Sequence, residues 1–70
     1  MTVSVTVNGE SRRLPAGATV ASVVELFAGV PGGRGVAVAV GGEVVPRTEW
    51  SRIELSDGAR VEVVTAVQGG

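Results

Sequence analysis

The stretch that decides the fold is Val36-Ala37-Val38-Ala39-Val40-Gly41-Gly42-Glu43-Val44-Val45-Pro46. Its first five residues are all apolar, which is typical of a central strand of a sheet. Gly41-Gly42 predicts a tight turn into a second strand that begins at Glu43. Pro46 favours an extended conformation at Val45 and prevents a regular inner strand beyond it. This stretch therefore predicts two neighbouring strands of a sheet.

A helix is predicted just before this stretch. Val20, Val23, Val24 and Phe27 have the spacing i, i+3, i+4, i+7, so they share one helix face. Thr19 is the predicted N-cap, the helix extends to about residue 28, and residue 29, a glycine, is the predicted terminator. Because β-branched residues lower helix propensity, this helix must pack against the sheet to be stable.

The N-terminus predicts a β-hairpin. Valines alternate with Thr and Ser over residues 2–7, which is the pattern of a strand with one buried face. Asn8-Gly9 is the strongest short hairpin sequence, because both residues tolerate positive φ. A second strand at about residues 11–14 should return antiparallel to the first.

The remainder predicts a short connection and a last strand. Residues 47–50 are expected to form one helical turn or an irregular segment, and Ile53 and Leu55 a short edge segment. Asp57-Gly58 predicts the turn into a strand over residues 61–66, with Val61, Val63 and Thr65 on one face. The predicted core comprises Val3, Val5, Val7, Val20, Val23, Val24, Phe27, Val36, Val38, Val40, Ile53, Leu55, Val61 and Val63.

These elements predict an α+β fold: a mixed sheet of four to five strands with one main helix packed on it. We expect residues 1–66 to form this single domain and residues 67–70 to be a flexible C-terminal tail. At 70 residues the chain is near the lower limit for unaided folding.

The composition excludes most catalytic chemistry. The chain has no Cys, His, Lys or Tyr, so the usual nucleophiles and near-neutral bases are missing, and no metal site is expected. The glycine-rich residues 30–35 lack a following Lys-Ser/Thr, which favours a connector over a phosphate-binding loop. We therefore predict that the protein is not an enzyme and has no catalytic residues.

The charge pattern also limits the possible partners. Six arginines and seven acidic residues give a net charge of −1, which provides no electrostatic basis for binding nucleic acid or an anionic membrane. The N-terminus lacks the pattern of a signal peptide, and no apolar run is long enough to span a bilayer. A cytoplasmic location is expected.

The C-terminal sequence Val67-Gln68-Gly69-Gly70 is the candidate functional segment. Glycine has no Cβ, so it can enter narrow channels, and the carboxylate of Gly70 would be a highly accessible acyl group. Four residues span at most about 13–14 Å when extended, which is enough to thread into a partner. The alternative is that Gly69-Gly70 is a dispensable end.

The element order with a terminal Gly-Gly resembles the β-grasp fold of ubiquitin-like proteins, and two stretches resemble the ThiS family of thiamine-pathway sulfur carriers. These are the strand, turn and Val45-Pro46-Arg47-Thr48-Glu49-Trp50 segment, and Ser56-Asp57-Gly58 before the last strand. The resemblance covers essentially the whole chain.

This resemblance implies that the protein is a substrate of other enzymes. An E1-like adenylyltransferase would use ATP and Mg²⁺ to activate the carboxylate of Gly70, with no cofactor bound by the chain itself. Sulfur mobilised by a cysteine desulfurase would convert the acyl adenylate to a thiocarboxylate. Thiazole synthase would then consume this sulfur. Gln68 and Gly69 would thread into the partner beside Gly70.

Partner contacts are predicted for apolar residues close to the tail, namely Val64, Ala66 and Val67. Val64 could instead pack under a loop. Trp50 could be an interface anchor, but we favour a role in covering one end of the core with its indole N–H bound to a carbonyl.

Several other functions fit the same sequence. The same carrier chemistry could supply molybdopterin or another sulfur metabolite. A β-grasp interaction module whose diglycine is never activated and a ubiquitin-like protein modifier are also possible. An iron–sulfur carrier is excluded by the lack of cysteine.

Overall fold

The computed structural model describes residues 1–28 and 34–65. In chain order the elements are β1 (Thr2–Val7), β2 (Glu10–Pro15), α1 (Val20–Val23) with a π-helical continuation (Val24–Ala28), β3 (Val36–Val40), β4 (Glu43–Val45), a 3₁₀ turn (Arg47–Glu49) and β5 (Arg60–Thr65). The predicted terminator at residue 29, most of the predicted connector at residues 30–35, residue 66 at the predicted end of the last strand, and the predicted tail, residues 67–70, lie outside the described residues.

The described strands form one mixed sheet in the order β2-β1-β5-β3-β4. β5 pairs parallel with β1 and antiparallel with β3, so the last strand occupies the middle of the sheet. β3 also pairs antiparallel with β4, which confirms the prediction that it is an inner strand. The buried valines of the helix pack on one face of this sheet, and we call the opposite face the outer face. The predicted α+β, β-grasp architecture is confirmed.

The N-terminal hairpin forms where the sequence predicts it. Asn8 and Gly9 have φ of 53° and 83°, which is the left-handed region that a two-residue hairpin turn requires. β1 and β2 pair from Val7 with Glu10 to Thr2 with Pro15, so β2 extends one residue further at each end than predicted.

The helix begins at the predicted N-cap. The Thr19 hydroxyl accepts from the Ser22 backbone N–H at 3.4 Å, and the Ser22 hydroxyl accepts from the Thr19 N–H at 3.2 Å, forming a capping box. The first backbone N–H groups also find tertiary partners: Val20 donates to the Ile53 carbonyl at 3.0 Å and Ala21 to the Trp50 carbonyl at 3.1 Å. These bonds join the start of the helix to the connection before β5.

The helix does not keep the regular period that the sequence predicts. From Val24 to Ala28 it is π-helical. Because a π-helical turn contains more residues than the 3.6 of an α-helix, Phe27 is rotated away from the helix face that carries Val20 and Val23. Phe27 is 37% exposed, and its placement in the core was wrong. Ile53, at 36% exposure, was also wrongly placed, because its segment makes only an isolated bridge, between Glu54 and Thr19, in the described residues.

The core otherwise follows the prediction, with two additions. Leu14 and Trp50 are buried although they were not in the predicted core, while Val3, Val36 and Val40 are only partly buried against it. Within the described residues, the buried hydrophobic residues are Val5, Val7, Leu14, Val20, Val23, Val24, Val38, Trp50, Leu55, Val61 and Val63.

Candidate functional site

The residues predicted to carry the chemistry or enter a partner lie outside the described part of the chain. They are Ala66, Val67, Gln68, Gly69 and Gly70. The structure describes the strand that leads to them and the surfaces on either side of it. Val64 is therefore the one predicted site residue whose environment can be given.

The C-terminal segment follows directly from the middle strand of the sheet. β5 ends at Thr65, which lies opposite Val36, the first residue of β3. Gly70 is five residues further along the chain than Thr65. β3 pairs with β5 as far as Thr65, whereas β1 pairs with it only as far as Val61.

Val64 is exposed on the outer face, next to other small apolar residues. Its side chain is 63% exposed, which excludes the alternative that it packs under a loop. Ala37 lies directly opposite it on β3, and Ala39 lies opposite Val44, which is 74% exposed. Residues directly opposite each other in a sheet share a face. We call the set Ala37, Ala39, Val44 and Val64 the outer-face patch.

The outer face of β5 becomes apolar toward its C-terminal end. Arg60 and Glu62 are exposed on the same face as Val64, because they alternate with the buried Val61 and Val63. Glu62 also lies opposite Ala39 at the border of the patch. Charged residues beside a small exposed apolar patch are typical of a surface that binds a protein partner transiently.

Trp50 is a structural residue. It is 6% exposed, and its indole N–H donates to the Val45 carbonyl at 2.9 Å. This contact joins the 3₁₀ turn to β4 and confirms that Trp50 covers one end of the core rather than serving as an exposed anchor.

A depression of about 200 Å³ lies on the opposite side of the sheet, between the hairpin and the helix. Its one cationic group is already engaged: the Arg12 guanidinium lies 2.6 Å from the Glu10 carboxylate and 5.3 Å from the centre of the Phe27 ring. Val7 and Asn8 complete its lining. The sequence did not predict this cluster, because it depends on the rotation of Phe27 out of the core.

The described residues contain no group of three His, Cys, Asp or Glu side chains that could hold a metal ion. Across residues 1–28 and 34–65, no polar or charged residue is buried. None of the helices in this part of the chain is long and apolar enough to cross a membrane.

Over residues 1–28 and 34–65, the sheet order, the helix packed on the sheet and the central position of β5 define a ubiquitin-like β-grasp protein. The ThiS family model matches residues 5–70, which is nearly the whole sequence and includes the C-terminal Gly-Gly. The chain belongs to the ThiS family. This membership supports the sulfur-carrier role that the sequence predicts.

A solved structure agrees with this assignment. The crystal structure of the thiamine biosynthesis protein ThiS from Geobacter metallireducens is similar to this chain with a TM-score of 0.73 and 26% sequence identity. The similarity covers 97% of this chain and 100% of that protein. A comparison with curated proteins found no match.

Proposed function

We propose that this protein carries sulfur as a thiocarboxylate on Gly70 and donates it for the synthesis of the thiamine thiazole. The observation that supports this most directly is that the ThiS family match extends through residue 70. The middle strand of the sheet, β5, precedes that residue in the chain and contributes Val64 to the outer-face patch.

Chemical activation of Gly70 has to come from a partner. A chain-terminal carboxyl group has a reference pKa of about 3.3–3.7, so at neutral pH it is an anion and a poor electrophile. We propose that an E1-like adenylyltransferase uses ATP and Mg²⁺ to form the acyl adenylate, with pyrophosphate leaving. The outer sulfur of a persulfide, supplied through a cysteine desulfurase, then attacks the acyl carbon, and AMP leaves as an acyl disulfide forms. A thiol cleaves the S–S bond of this acyl disulfide, which leaves the thiocarboxylate on Gly70 and a disulfide as the oxidised product.

The domain supplies recognition rather than catalysis. We propose that the outer-face patch, continued by Ala66 and Val67, contacts the adenylyltransferase and then thiazole synthase. Gln68 and Gly69 would enter the active site of the partner ahead of the reacting carboxylate. Two glycines at the end allow the backbone to pass where a side chain would collide with the channel wall.

Complementation of a host strain lacking this protein's gene tests the pathway. The proposal predicts that the strain requires thiamine, that the wild-type chain restores growth without thiamine, and that a chain lacking Gly70 does not. Normal growth of the deletion strain without thiamine would contradict the thiamine role and favour a carrier for another sulfur metabolite. Restored growth with the shortened chain would favour a β-grasp interaction module whose diglycine is not activated.

A further inference from the structure

The side chain of Asn8 pairs with the main chain of Val63. The Asn8 side-chain oxygen Oδ1 accepts from the Val63 N–H at 2.8 Å, and the Asn8 Nδ2 donates to the Val63 carbonyl at 3.0 Å. The Asn8 backbone N–H donates to the Val61 carbonyl at 2.9 Å. One residue of the hairpin turn therefore binds β5 at two successive positions on the same edge.

These bonds replace strand pairing that the turn interrupts. β1 pairs with β5 over only Thr6 with Arg60 and Val7 with Val61. In a regular parallel ladder, the next carbonyl of β1 would accept the N–H of Val63 and a following N–H would donate to its carbonyl. The chain instead turns away at Asn8, where φ is 53°, and the side-chain amide supplies both groups.

The turn itself does not require this side chain. Glycine and aspartate also tolerate positive φ at this position of a hairpin. Asparagine alone among these three offers one acceptor and one donor arranged like a peptide group. The contact with β5 thus explains why residue 8 is an asparagine. The residue contacted, Val63, is seven residues before Gly70 in the chain.

We propose that Asn8 is a positioning residue for the activation of Gly70. It extends the pairing of β5 on the side where β1 has ended, while β3 pairs with β5 on the other side as far as Thr65. The described end of β5, which precedes the C-terminal segment, is then held from both sides as far as Val63. This inference rests on the proposed function, because it concerns how the reacting carboxylate reaches the partner.

A kinetic test separates positioning from docking. Without the side-chain amide, the end of β5 is held by β3 alone, and fewer encounters place the carboxylate correctly. The outer-face patch remains, because Val64 lies opposite Ala37 of β3. Loss of positioning should therefore lower kcat of the adenylyltransferase with this chain as substrate and change KM little.

The test uses Asn8→Gly and Asn8→Asp in the full chain, with Thr19→Ala as a matched control. Gly keeps the turn but removes both side-chain bonds, and Asp keeps the acceptor but places a carboxylate oxygen against the Val63 carbonyl. Thr19→Ala removes a side-chain hydrogen bond at the start of the helix, away from the Val63 pair. ATP–pyrophosphate exchange is measured against chain concentration, well below the melting temperature of every variant.

The expected result is a fall in kcat of about tenfold for both Asn8 variants, with KM within about twofold of wild type and no change for Thr19→Ala. Amide hydrogen exchange should also become faster at Val63 in Asn8→Gly, while Val38 in the core keeps its protection. Wild-type kcat in Asn8→Gly, or an equal loss in Thr19→Ala, would overturn the positioning role alone. A wild-type chain that supports no exchange, with an enzyme active on its known substrate, would overturn both this role and the proposed function.

Discussion

Val64 of β5 lies directly opposite Ala37 of β3, and both side chains face solvent on the side of the sheet away from the helix. Val64 is also six residues before Gly70 in the chain. The pairing of two inner strands thus fixes an exposed apolar pair a few residues along the chain from the glycine that we propose to be activated. This relationship joins the fold to the proposed chemistry, since a partner that binds the pair has the C-terminal segment within reach.

Val64→Asp is expected to weaken docking to the adenylyltransferase. A carboxylate within the outer-face patch would lose its water on binding, so KM should rise about tenfold or more, while kcat at saturation changes little. Steady-state pyrophosphate exchange measures both constants. Ser11→Asp is the matched control, because Ser11 is exposed at the far edge strand of the same sheet. An equal effect of both substitutions would show that general charge, and not the patch, controls binding.

Gly69→Val is expected to abolish activation without altering the stability of the domain. A β-branched side chain next to Gly70 restricts the backbone and collides with a narrow channel. The measurements are the intact mass after the activation reaction and the urea midpoint of unfolding. A variant that is activated normally would contradict threading, and a lower midpoint would show that this residue belongs to the folded domain.

The local features of the fold could be predicted from the sequence, because each depends on neighbouring residues. Asn8-Gly9 forms its hairpin turn through backbone preferences, and Thr19 caps the helix through a bond to Ser22 three residues away. Residues 36–40 are all apolar, and this run predicts an inner strand of the sheet. The middle position of β5 was not predicted, since strand order depends on long-range pairing.

The misplaced core residues show where a local pattern fails. Phe27 fits the helical period, but the π-helical turn moves it outward, and Leu14 is buried in a strand whose other residues are exposed. For the candidate site, the sequence indicated Gly70 and Val64. It gave no indication of the Asn8 contact with Val63, which joins residues 55 positions apart.

Leu14→Ala and Ile53→Ala should therefore differ in their effect on stability. Leu14 is buried opposite Val3, so truncation leaves a cavity and should lower the free energy of unfolding by about 2–5 kcal/mol. Ile53 is partly exposed, so its truncation should cost less than about 1.5 kcal/mol. Urea unfolding followed by circular dichroism compares them, and a greater loss for Ile53→Ala would contradict the described core.

Trp50→Phe should lower the free energy of unfolding by about 1–3 kcal/mol, because it removes the indole bond to the Val45 carbonyl and part of the packing at that end of the core. For a domain of this size, each 1 kcal/mol corresponds to about 4–8 °C in Tm. Activation at a temperature where the variant is folded should stay at the wild-type level. Unchanged Tm together with weaker activation would mean that Trp50 contacts the partner.

The central claim is that Gly70 becomes a thiocarboxylate, and the most direct test is the intact mass of the protein after incubation with its host's E1-like enzyme, ATP, Mg²⁺ and a sulfur source. The account predicts a mass increase equal to the replacement of one oxygen by sulfur, located in the C-terminal peptide and absent when ATP is omitted. An unchanged mass, with the enzyme shown to be active on its known substrate, would contradict it.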